Sequence, residues 1–129
     1  MKRFGAFLLL AAILAMITLA EADEYHFGLP GDIPIMGDWN GDGRTKIGVV
    51  RVINGELHWY LDWNGNGIWE GPEIDRRFEC GIAGDTPIVG QWTMNGRDQI
   101  GVYRDGLWRV DIMGDGSCVD RMIIPPPLK

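Results

Sequence analysis

The sequence predicts an all-β protein made of two four-stranded antiparallel units, and three observations carry that expectation. Residues 31–51, GDIPIMGDWNGDGRTKIGVVR, recur at residues 84–104 as GDTPIVGQWTMNGRDQIGVYR, and at this gapless offset of 53 the two stretches share 12 of 21 positions. That is an internal repeat. Beyond residue 22 no window spaces apolar residues as a helix would; short segments rich in Val, Ile, Trp and Tyr alternate with glycine clusters, and 19 of 129 residues are glycine. Finally, Asn54-Gly55 and Asp105-Gly106 are dipeptides that accept positive φ at both central positions of a type I′ turn, which gives each copy a tight hairpin.

Taken in order, the strands predicted for the first copy are residues 33–37, 46–52, 56–62 and 75–80, each bounded by glycine-rich turns. Those of the second copy are 86–92, 99–104, 107–111 and 119–124, and residues 25–27 can add a ninth at one edge. The second copy is shorter because residues 104–111 span in 8 positions what residues 51–62 span in 12. Pro125, Pro126 and Pro127 cannot donate to a ladder, so residues 125–129 close the fold or form a stiff tail.

Lys2 and Arg3 precede an apolar run over residues 4–19, and Ala20-Glu21-Ala22 puts small residues where signal peptidase reads them. Residues 1–22 therefore read as a signal peptide cleaved before Asp23, since 16 apolar residues fall short of the roughly 20 that span a bilayer. The expected product is secreted, cell-surface or periplasmic, with no stable membrane insertion after cleavage, and it comprises a first repeat (23–83) and a second (84–124). Of 12 basic and 18 acidic residues it keeps 10 and 17, a net charge of −7, which argues against nucleic acid and favours cations as company. Cys80 and Cys118 could be bridged in an oxidising compartment or could be two buried thiols; sequence leaves both open.

Six tryptophans supply large apolar area. Trp39 matches Trp92 and Trp59 matches Trp108 across the repeat, so these four are expected to pack. Trp63 and Trp69 align with Ile112 and Cys118 and have no aromatic counterpart; they either pack their loop or offer a stacking platform for sugar rings.

Calcium takes six to eight oxygens, and three loops invite a ligand count. Asp38, Asn40 and Asp42 stand at positions 1, 3 and 5 of the first, but position 9 is Lys46, whose ammonium can neutralise the carboxylates itself. The second copy of that loop offers Gln91, Thr93, Asn95 and Gln99, with no carboxylate. The third, residues 62–73, has Asp62, Asn64, Asn66, the Ile68 carbonyl, Glu70 and Glu73 at positions 1, 3, 5, 7, 9 and 12, with Gly67 at the sharp turn. It is the best candidate, although its flanks are strands and no EF-hand follows. The alternative is that these Asp, Asn and Gly residues only make turns.

The unit F-G-x-x-G-D-x-P-I-x-G-D-W-N-G-D-G, followed by I-G-V-x-R and a W-Y-L-D-x-N-G-N-G loop, resembles the FG-GAP and VCBS repeats of secreted bacterial and archaeal proteins. It is similar in layout to the calcium-loop blades of integrin-type β-propellers, and the likeness covers about residues 27–124. The resemblance implies four-stranded propeller-blade-like repeats with calcium in the loop between the first two strands, on Asp38, Asn40 and Asp42; Lys46 stands where the family has an aspartate. Two blades cannot close a propeller, so the expected packing is a small sandwich or partial propeller, and a homo-oligomer is one way to complete a ring.

Enzyme chemistry finds no footing. His26 and His58 lie on unrelated segments, Ser117 is the sole serine, and the spacing of Glu70 and Glu73 suits a metal better than a glycosidase dyad. The expected function is a secreted, non-catalytic, calcium-binding repeat module for adhesion, meaning protein or cell-surface recognition. A carbohydrate-binding module using Trp63 and Trp69 on a cell-surface glycan is the alternative.

Overall fold

The computed structural model describes residues 22–118. The signal peptide expected over residues 1–22 lies, but for Ala22, outside the described residues, as do the strand expected at 119–124 and the proline tail at 125–129. The apolar runs between glycine turns form seven strands: β1 (Ile33–Gly37), β2 (Lys46–Ile53), β3 (Glu56–Leu61), β4 (Arg76–Ile82), β5 (Thr86–Gly90), β6 (Gln99–Arg104) and β7 (Leu107–Val110). They make a four-stranded sheet in the order β1-β2-β3-β4 and a three-stranded sheet in the order β5-β6-β7, antiparallel throughout. The turn dipeptides adopt the left-handed backbone expected of them, with φ of 51° and 80° at Asn54 and Gly55 and 48° and 87° at Asp105 and Gly106. Residues 25–27, a candidate ninth strand, form none.

Both sheets contribute to one core: Trp39, Val50, Leu57, Trp59, Leu61 and Cys80 from the first repeat, Ile100, Val102 and Cys118 from the second. The fold is thus a small sandwich of two sheets. Replacing Trp59, which is fully buried and donates its Nε1–H to the Cys80 carbonyl at 2.8 Å, by alanine would remove about 3–5 kcal/mol. The Trp39 and Trp92 indoles make the same bond in each repeat, to the carbonyls of Ile47 and Ile100, both at 3.1 Å.

The sheets are stacked the same way round rather than mirrored. On the first, Val50 pairs with Trp59 and Gly48 with Leu61, and this face looks into the core. On the second, the residues that enter the core are Ile100 and Val102, which alternate with the repeat counterparts of Gly48 and Val50. The counterparts of Val50 and Trp59 are Tyr103 and Trp108, and they point away: Tyr103 is 37% exposed and Trp108 42%. Trp108 therefore corrects the expectation that all four matched tryptophans pack inside. Its position is repeated, but among the described residues no third sheet covers it.

Two ion pairs explain other repeated identities. Arg51 grips Asp32 with Nε and Nη2, both at 2.8 Å, and Arg104 grips Asp85 in the same bidentate way. Asp32 also accepts from the Leu29 amide at 2.8 Å and Asp85 from that of Ile82 at 2.9 Å, closing the turn into each repeat. The arginines hold both carboxylates below the usual range. Gly28 and Gly81 precede these turns with φ of 98° and 92°; a Cβ there would come within 2.9 Å of Val49 and 2.7 Å of Val102.

Cys80 and Cys118 are joined by a disulfide, with Cα atoms 5.1 Å apart. Phe27 lies 53 residues before Cys80 and Trp69 lies 49 before Cys118, and these two meet edge to face with ring centroids 6.2 Å apart. The first repeat has an aromatic contact where the second has a covalent bond.

Candidate metal centre

The loop after β1 contains a cation of its own. Lys46 Nζ donates to Asp38 Oδ1 at 2.8 Å, Asp42 Oδ1 at 2.5 Å and the Arg44 carbonyl at 2.7 Å, so all three ammonium protons are used. Its side chain is 1% exposed. Burial by itself would lower the Lys46 pKa, but the bonds to Asp38 and Asp42 outweigh it and the net shift is upward. The same ammonium holds Asp42 down at about 2 and lowers Asp38. The remaining Asp38 valences close the loop, accepting from Gly41 N at 3.0 Å and Gly43 N at 2.8 Å. The lysine thus stands among the oxygens that the family resemblance reserves for calcium, and a divalent ion would have to displace it. We make no calcium proposal for Asp38, Asn40 and Asp42.

The matching loop of the second repeat is closed by an amide. Gln99 accepts from Trp92 N at 3.1 Å and donates to Thr93 Oγ1 at 3.1 Å. The two loops also meet: Asp98 Oδ2 accepts from Asp38 N at 2.8 Å, and Asp98 N donates to the Asp38 carbonyl at 2.9 Å.

The loop after β3 has a different balance. Asp62 is 1% exposed; Oδ2 accepts from Gly67 N at 2.8 Å, which folds the loop back on itself, while Oδ1 is buried without a well-aligned hydrogen bond, the Gly65 and Asn66 amides lying near the carboxylate. Burial, reinforced by the charge of Asp75 and opposed by these amides, raises the Asp62 pKa. In the same loop the side chains of positions 3, 5 and 9 meet one another: Asn64 Nδ2 donates to Glu70 Oε1 at 2.9 Å, and Asn66 Nδ2 donates to the same oxygen. Their amide oxygens are engaged in turns, accepting from Asn66 N at 3.4 Å and Ile68 N at 3.0 Å. Glu73, expected at position 12, is exposed and takes no part in these bonds.

Asp75, at the start of the strand expected over 75–80, holds the loop closed. It is fully buried and accepts from Trp63 N at 2.9 Å and Glu70 N at 2.8 Å, stapling both ends of the loop. The chain reaches it by a turn in which Asp75 N donates to the Gly71 carbonyl at 2.9 Å. Asp111, 49 residues after Asp62, is the buried counterpart in the second repeat and accepts from Gly114 N at 3.0 Å and Gly116 N at 2.6 Å. Among the described residues no three His, Cys, Asp or Glu side chains gather as a metal-binding group.

Trp63 packs against the core with the guanidinium of Arg76 4.6 Å from its ring and that of Arg97 at 5.8 Å. Trp69 stands edge-on to Phe27 and Tyr60, with centroids 6.2 and 5.2 Å away. Both rings are therefore engaged within the protein. His58 is buried beside Trp59 and receives a bond from Arg77. No family model matches the chain, and no curated protein or solved structure matches it either.

Proposed function

We propose that this protein is an exported, non-catalytic repeat module that binds one calcium ion at residues 62–70 and serves protein or cell-surface recognition. The observation that carries the metal reading is the buried Asp62 oxygen without a well-aligned hydrogen bond, set in a loop where Asn64, Asn66 and Glu70 converge. A buried anionic oxygen is expensive to leave poorly paired, and a cation is the natural remedy. Asp62, Asn64, Asn66, Glu70 and the Ile68 carbonyl would hold the ion, after the two amides turn their oxygens inward. Bound calcium would supply charge neutralisation and stiffen the loop; Asp75 keeps the loop ends in place meanwhile. The like-facing stack of two sheets supports the blade-type reading of the repeats.

A calcium titration followed by tryptophan fluorescence and thermal melting tests the proposal, with Trp63 inside the loop and Trp69 beside Glu70 as reporters. At about one hundred times the dissociation constant, binding stabilises by about 2.7 kcal/mol, which raises Tm by roughly 10 °C or more in a domain this small. Unchanged fluorescence and melting at 10-fold steps up to about 10 mM calcium, beyond the weak extracellular range, would overturn it.

A further inference from the structure

The molecule contains a worked example of an interface and both of its unused halves. The front of the first sheet, with Val50, Trp59 and Leu61, is covered by the back of the second, with Ile100 and Val102. Because the sheets stack the same way round, the second sheet has an equivalent front, on which Tyr103 and Trp108 are exposed, Ile88 is half-buried and Val110 is buried. Tyr103 and Trp108 stand edge to face with centroids 5.1 Å apart, and both are more than a third exposed. The first sheet likewise presents an unused back, where a cavity of about 330 Å³ is lined by Phe27, Leu29, Val49, Arg51, Tyr60 and Trp69. The repeat counterparts of that lining, including Cys80, Ile82, Arg104, Arg109 and Cys118, form a cavity of about 230 Å³ where the two sheets meet.

We propose that the front of the second sheet docks on the back of the first sheet of a second copy of this chain, continuing head to tail the packing that joins the two sheets within one copy. The occupant is a second copy because the molecule itself carries the surface that fits this front: the first sheet's back is repeat-related to the surface that covers the first sheet's own front. The contact is heterologous, so it generates a ring if the rotation closes and a filament if it does not. Repeat arithmetic also locates one pair across it. Within the chain Asp38 exchanges two backbone-mediated bonds with Asp98; the counterparts are Gln91 and Thr45, both exposed. Gln91 of one copy is therefore placed against Thr45 of the next.

The test uses the full chain produced with its own leader. Separate Gln91→Cys and Thr45→Cys variants are mixed under mild oxidation and resolved on a non-reducing gel, with light scattering of the unmodified protein alongside. A mixed Q91C–T45C dimer, at least tenfold more abundant than either self-pair, and a mass that grows with concentration are expected. Adding Trp108→Lys, a change at an exposed position, to the Q91C chain should lower the mixed dimer at least tenfold while leaving the melting curve in place. A monomer at every concentration with no mixed disulfide overturns the proposal. So does quencher protection of Trp108 in a monomer that is lost when residues 119–129 are removed, which would assign the face to the chain's own end. Calcium plays no part in these readouts, so their outcome and that of the calcium titration are separable.

Discussion

The loops after β1 and β3 begin from the same chemistry, an Asp-x-Asn start with a glycine-led turn, and reach opposite electrostatic solutions. In the first, the ammonium of Lys46 is tethered among two carboxylates and a carbonyl, and each of its protons has an acceptor. In the second, position 9 is the acceptor Glu70, and one oxygen of Asp62 is buried without a well-aligned hydrogen bond. The residue at the ninth position sets the difference: a lysine there neutralises the first loop from within, and a glutamate leaves the second with acceptors only, which is the basis of the calcium proposal.

Changing the ninth residue should break the contrast, and this is the largest effect expected. Lys46→Asp removes the ammonium and leaves Asp38 and Asp42 facing a third carboxylate, so the metal-free protein should lose about 3–5 kcal/mol in urea unfolding. Calcium should restore most of it, which would make the first loop behave as proposed for the second. Within the second loop, Glu70→Gln should weaken calcium binding at least tenfold by isothermal titration, whereas Glu73→Gln should change it less than about threefold, because Glu73 stands apart from the converging side chains.

Acid should separate the loops more gently. Asp42 is held at about 2 and Asp38 is lowered, so the stability they contribute is present above the ordinary carboxylate value near 3.8 and is lost as pH falls toward 2. Asp62 is raised instead: protonation relieves its buried charge, its contribution favours folding at low pH, and that benefit disappears as pH rises through the shifted value. If calcium binds as proposed, it and the proton would compete at Asp62. Titrations across pH 4–8 should show calcium affinity falling on acidification while the Lys46 loop, read in the absence of calcium, stays intact until well below pH 3.8.

Strands and turns were legible because their causes are local: β-branched runs between glycines, and Asn-Gly or Asp-Gly where two positive φ values are required. The competition of Lys46 with a metal was legible too, since it follows from one charge at one loop position. Trp108 was not, because repetition of a residue does not repeat its surroundings; exposure depends on whether another sheet lies over it. The buried role of Asp75 was not legible, because the position-12 spacing that points to Glu73 is drawn from helix-flanked loops. Here the turn from Gly71 to Asp75 brings Asp75 back to the loop and leaves Glu73 outside. The paired roles of Asp32 with Arg51 and Asp85 with Arg104 were visible only as unexplained identities, for the partners lie 19 residues apart.

The disulfide that replaces the Phe27–Trp69 contact has a consequence for how the molecule comes apart. It ties β4 of the first sheet to the second repeat across 38 residues, a closure that restricts the unfolded chain by about 3–4 kcal/mol. With the tie in place, two repeats that already share a core should melt as a single cooperative event. In a reducing medium the second sheet, with Tyr103 and Trp108 exposed, should become the weak end and lose cooperativity first. The redox state of the surroundings would then set whether the chain behaves as one folding unit or as a stable repeat carrying a fraying one.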